Sequence, residues 1–98
     1  MKYAIITISK KDAEACKKYL NNVILTEDDT IIWTANFGDG MEMDVKVCGA
    51  DYETAWTEAV LFKNGYEVCC TDCYDELVGE WSLEYNDETY IANVIIEN

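Results

Sequence analysis

Glu67–Cys73 reads EVCCTDC and places three of the chain's five cysteines within five positions. Clustered thiols can bind a metal, exchange disulfides or simply pack. Cys70-Thr71-Asp72-Cys73 has CxxC spacing, but a structural zinc site needs about four Cys or His ligands. The chain has no histidine, and Cys16, Cys48 and Cys69 would have to converge from separate segments. Cys69 and Cys70 are neighbours in a β-rich run, so their side chains point to opposite faces. A redox CxxC works at a helix N-terminus in an electropositive setting. This one lies among Glu67, Asp72, Asp75 and Glu76, whose charge holds thiols protonated. An odd cysteine count without a secretion signal fits free thiols in a reducing cytosol. The expectation is packing cysteines, with no metal and no cofactor.

Carboxylates are the other abundant reactive group. TEDDT (26–30) and DCYDE (72–76) are acidic, yet neither has the twelve-residue calcium loop with its glycine and terminal glutamate. No two acids are singled out as a general acid and base. The chain also lacks Arg, Pro and Gln. Without His the commonest general base is missing, and without Arg there is no bidentate fork for phosphate. The reading is therefore not an enzyme.

Charge is the strongest signal, with 20 acids against 7 lysines and a net charge of −13. It is uneven, since residues 1–18 carry +3 and residues 19–98 carry −16. A phosphate backbone repels such a surface, which excludes direct nucleic-acid binding. A basic protein is drawn to it, with faster encounter at low salt. A net charge of this size exceeds the magnitude of about 2–8 that keeps a small domain in solution.

The elements that must position these groups are short. Lys2–Ile8 alternates, with Ala4, Ile6 and Ile8 on one face and Tyr3, Ile5 and Thr7 on the other. Ser9 is placed as an N-cap, with Asp12 three residues on, for a helix over Lys10–Leu20. Its inner face is Ala13, Cys16 and Leu20, joined by Ala15 and Tyr19, and Asn21-Asn22 ends it. Hairpins follow. Val23–Thr26 and Ile31–Phe37 flank EDDT, and Asp39-Gly40 is a strong turn signal before the alternating Met41–Cys48. Tyr52–Phe62 reads as a strand turning at Asn64-Gly65, the alternative being a second helix near 52–62. Gly79–Asn86 alternates and turns at NDET into Tyr90–Ile96, which is apolar at nearly every residue and is expected to be central and covered on both faces. Trp33, Phe37 and Asp39 are echoed by Trp81, Tyr85 and Asp87, which two hairpins of similar make explain.

These elements predict a single α+β domain over residues 1–98. A two-layer arrangement is expected, with an antiparallel, hairpin-rich sheet of six to eight strands packed against one N-terminal helix. The expected core is Ile6, Ile8, Cys16, Leu20, Ile31, Trp33, Met43, Val45, Val60, Val68, Trp81, Leu83 and Val94. No apolar run approaches the roughly 18 residues of a membrane helix, and the N-terminal run ends in charge without a cleavage site, so a cytoplasmic protein is expected.

Glu42 and Asp44 project from the polar side of one strand and Glu80, Ser82 and Glu84 from another. Residues two apart in a strand sit roughly 6.8 Å apart, comparable to the separation of neighbouring backbone phosphates. If the two strands share a sheet, their carboxylates form rows that a basic nucleic-acid-binding groove could accept. Tyr85 and Asp87 adjoin them, and tyrosine is enriched at interfaces. The expected binding residues are Glu42, Asp44, Glu80, Glu84, Tyr85 and Asp87, and the expected partner is a basic, nucleic-acid-handling protein. A small, acidic, cysteine-bearing chain without catalytic machinery is similar in type to inhibitors of host defence nucleases carried by phages and other mobile elements; no motif carries that analogy. The competing readings are a self-associating structural domain, such as a homodimer, and a zinc or thiol protein.

Overall fold

The computed structural model describes residues 1–20, 30–50, 53–73 and 76–98. The order is β1 (Lys2–Ile8), α1 (Lys10–Leu20), β2 (Ile31–Gly38), β3 (Met41–Ala50), β4 (Glu53–Lys63), β5 (Tyr66–Cys73), β6 (Gly79–Tyr85) and β7 (Glu88–Ile96). The strands form two sheets. β2-β3-β4-β5 is an antiparallel meander, and β1-β7-β6 is a mixed sheet in which β1 runs parallel to β7.

The alternating strands supply one core between the sheets. Met41, Met43, Val45 and Val47 of β3 and Ala55, Ala59 and Leu61 of β4 cluster with Ile6, Ile8, Trp81, Leu83, Tyr90, Ala92 and Val94 from the other sheet. Phe37 meets Tyr90 edge-on, with ring centroids 5.3 Å apart, and so bridges the layers. Burying each Leu, Ile, Val or Met side chain contributes about 1.5–3 kcal/mol. The sheet margins also meet, β1 lying near β2 and β5 near β6.

Turn chemistry sets the hairpin registers. Asp39-Gly40, Asn64-Gly65 and Asn86-Asp87 all have positive φ at both residues, as tight two-residue hairpin turns demand. The α1 cap forms as its residues dictate, since the Asp12 amide donates to Ser9 Oγ at 3.0 Å. Ala13 and Cys16 are buried in the core, and Ala15 and Leu20 are half-buried.

Several expectations are corrected. The fold is broadly α+β, but it is not one antiparallel sheet packed on a helix; a second sheet supplies the opposing layer and α1 adds only part of the core. Glu53–Lys63 is a strand, so the helical alternative near 52–62 does not hold there. Residue 52 lies outside the described residues, as do Val23–Thr26, Asn21-Asn22 and most of EDDT. β7 is the central strand of its sheet, as its apolar composition suggests, but only one face is covered, because Ile95 is exposed. Val60 is buried, yet it points away from the shared core, which it does not join. Leu20, Ile31, Trp33 and Val68 pack at the core margin, half-buried.

Candidate protein-binding face

The outward side chains of β2–β5 form a grid fixed by the hairpin registers. Asn36, Glu42 and Phe62 lie in line, with Glu67 beyond. Thr34, Asp44, Val60 and Cys70 make the next row, and Ile32, Lys46, Glu58 and Asp72 the third. Cys48 faces Trp56 below them. Among the described residues, five carboxylates thus share one sheet face with a single lysine.

Asn64-Gly65 sets this register, and a bulge between Leu61 and Phe62 adjusts it. The bulge inserts one extra residue in β5, so Val68 and Cys69 both pack towards the core. Cys70 is then exposed on the outer face, while Cys73 returns to the core side. The two CxxC thiols therefore lie on opposite faces of the sheet and cannot chelate one ion. Among the described residues no cluster of three His, Cys, Asp or Glu side chains could hold a metal.

The face is electrostatically one-sided. Lys46 Nζ lies 3.9 Å from Glu58 Oε2, the Thr34 hydroxyl donates to Asp44 Oδ1 at 2.8 Å, and the Cys48 thiol donates to Glu58 Oε2 at 3.6 Å. Burial pushes the Cys48 thiol up to about 11, Lys46 opposing and Glu58 reinforcing the change. Cys70 is raised by desolvation and then by the carboxylates of Glu67, Asp72 and Glu58. Both thiols are protonated at neutral pH, so the Cys48–Glu58 contact is not an activated nucleophile. The face can offer an array of negative charge and hydrogen-bond acceptors.

Glu42 and Asp44 lie on this face, Glu42 exposed and Asp44 half-buried. Glu80 and Glu84 lie on the outer face of the other sheet, because β6 belongs with β7 and β1. The two acidic rows therefore do not share a sheet. Tyr85 turns inward, half-buried against the core, and Asp87 sits in the β6–β7 turn with φ 64°. Sequence reasoning missed Glu58, Glu67 and Asp72 as neighbours of Asp44 and Glu42. The alternation of ETAWTEAVLFK about the Asn-Gly turn carried that signal, and the open helical alternative over the same residues obscured it. No protein-family model, curated protein or solved structure matches the chain.

Proposed function

We propose that this chain is a binding protein that occupies a basic, nucleic-acid-handling protein surface, with the outer face of β2–β5 standing in for a phosphate array. The observation that carries the reading is the grid of Glu42, Asp44, Glu58, Glu67 and Asp72 with only Lys46 among them. Carboxylates two apart on a strand are spaced roughly 6.8 Å, and neighbouring strands add steps of about 4.8 Å. A rigid sheet holds that spacing with little entropy left to lose on binding. Like charges directly opposite one another, as at Glu58 and Asp72, destabilise a sheet. A binding role gives that cost a reason.

The test is capture from a bacterial lysate with the tagged chain as bait, at low and high salt and with competing DNA. A dominant nucleic-acid-handling protein, released by salt or DNA, is expected. Glu42→Lys/Glu67→Lys/Asp72→Lys, all at exposed positions, should abolish its capture. A complex indifferent to salt and to the reversal would refute the mechanism. The second reading, self-association, draws on exposed Tyr3, Ile5 and Ile95 of the other sheet; sedimentation velocity over a range of concentrations separates the two.

A further inference from the structure

The outer face of the three-stranded sheet is a different surface. Its register aligns Tyr3 with Ile91 and Ser82, Ile5 with Asn93 and Glu80, and Thr7 with Ile95. Tyr3, Ile5 and Ile95 are 52%, 58% and 39% exposed, and Ile91 between them is half-buried. Glu80 and Glu84, both exposed, line the β6 side. This apolar group spans edge strand β1 and central strand β7, with Asn93 beside Ile5 and the carboxylates along β6, so apolar side chains carry a charged rim on one side, as in interaction surfaces.

We infer that this face docks a second kind of protein surface, an apolar cluster flanked by lysine or arginine, separately from the acidic face of β2–β5. Charge decides between this occupant and a second copy of the chain. Each copy carries −13, so self-pairing sets like charges against one another and crowds Glu80 and Glu84 against a partner of the same sign. Area points the same way. Three strands about 4.8 Å apart, paired over seven residues rising about 3.3 Å each, present a flat footprint of roughly 300 Å². A stable interface uses about 800 Å² per partner. A patch this small needs attraction from opposite charge, and it suits a transient contact. The apolar group supplies selectivity, because a purely cationic ligand gains nothing from Tyr3, Ile5, Ile91 and Ile95.

Two synthetic peptides of equal charge test this, Lys-Lys-Leu-Leu-Leu-Lys-Lys and Lys-Lys-Ser-Ser-Ser-Lys-Lys. Each is titrated into ¹⁵N-labelled protein and followed by amide chemical shifts. The leucine peptide is expected to bind at least fivefold tighter, with the largest shifts at Tyr3, Ile5, Ile91 and Ile95. Ile5→Thr/Ile95→Thr keeps β-branched residues on an exposed face and should erase the preference at unchanged Tm. Glu80→Gln/Glu84→Gln should weaken both peptides, chiefly at low salt. Equal affinities, or shifts confined to β2–β5, would overturn the inference while leaving the proposed function standing. Concentration-dependent sedimentation abolished by Ile5→Thr/Ile95→Thr would overturn it in favour of a second copy. Loss of lysate capture in the β2–β5 reversal leaves this face untouched, so the two ideas fail separately.

Discussion

The pKa of Cys48 makes the burial of its thiol on the β2–β5 sheet measurable as stability. The thiol ionises near 9.0 when free and at about 11 in the fold, where burial comes first and Glu58 adds to it against Lys46. A thiol whose pKa rises on folding adds stability that is complete below pH 9 and is lost as pH climbs towards 11, because the unfolded chain sheds the proton first. Two pH units are worth about 2.7 kcal/mol at full separation, and the loss reaches about 1.4 kcal/mol by pH 10. Residual screening by solvent at the sheet surface trims the pH 10 figure to about 1 kcal/mol. The perturbation is Cys48→Ala, compared with wild type by urea unfolding under tryptophan fluorescence, with reductant, at pH 7.5, 8.5 and 10. Lysines and tyrosines titrate in both proteins and cancel in the difference. The wild type's advantage over Cys48→Ala should be constant between pH 7.5 and 8.5 and shrink by about 1 kcal/mol at pH 10. Adding Glu58→Gln to the otherwise wild-type chain should reduce the pH dependence, since it removes a charge that opposes the thiolate. Parallel stability–pH curves for wild type and Cys48→Ala would refute the reasoning.

Two further perturbations probe what holds the faces in place. Thr57 is fully buried on β4, and its hydroxyl lies within hydrogen-bond reach of the carbonyls of Cys73 and, at 2.7 Å, Glu76, tying the end of β5 and the approach to β6 to β4. Thr57→Val keeps the shape but removes the donor to these part-buried carbonyls, so a loss of about 0.5–1.5 kcal/mol is expected in urea unfolding; a variant as stable as wild type would show that the hydroxyl ties nothing. Gly40 has φ +79°, and an added Cβ would run into the Asn64 side chain, whose residue's amide donates to the Gly40 carbonyl at 2.8 Å. Gly38, at φ +85°, has open space around it. Gly38→Ala should cost only the left-handed backbone term of about 1–2 kcal/mol, and Gly40→Ala more; equal losses would mean that Asn64 moves aside freely.

Local features were legible because period-2 alternation and turn residues act over a few positions. The faces of β1, β3 and β6, the Ser9 cap and the Asp39-Gly40 and Asn64-Gly65 turns follow directly from residue type. Pairing between distant strands does not. Alternation says that Ile6 and Val94 each have an inner face, but it cannot say that they lie side by side in parallel, 88 positions apart in sequence. The division into two sheets depends on that pairing, and with it the separation of Glu42 and Asp44 from Glu80 and Glu84. Val60 shows the same limit at one residue. An apolar side chain in an alternating strand reads as core, yet its register with Asp44 and Cys70 puts it on the acidic face, where neighbouring side chains cover it.

The two outer faces divide the chain's chemistry in a way net charge alone does not show. On the outer face of β2–β5 Val60 is 1% exposed and the one widely open large apolar side chain among the described residues is Ile32 on edge strand β2, at 50%, while the exposed carboxylates of Glu42, Glu67 and Asp72 lie along β3 and β5. On β1-β7-β6 the acids are confined to β6, and aliphatic side chains stand open on β1 and β7. Five of the seven lysines lie in residues 1–18, on β1 and α1, and of the two on the β2–β5 sheet only Lys46 stands in the grid, Lys63 ending β4 opposite Met41. Mixing signs across the grid would relieve the opposition of Glu58 and Asp72 and stabilise the sheet by a few tenths of a kcal/mol to about 1 kcal/mol per pair. Only Lys46 does so, at 3.9 Å from Glu58. A chain selected for stability alone would gain from interspersing its lysines. Carboxylates gathered on one rigid face favour the approach of a cationic surface to it at low salt. That is the physical ground for the binding role proposed for the face, and the charge-reversal capture experiment decides it against plain solvated charge.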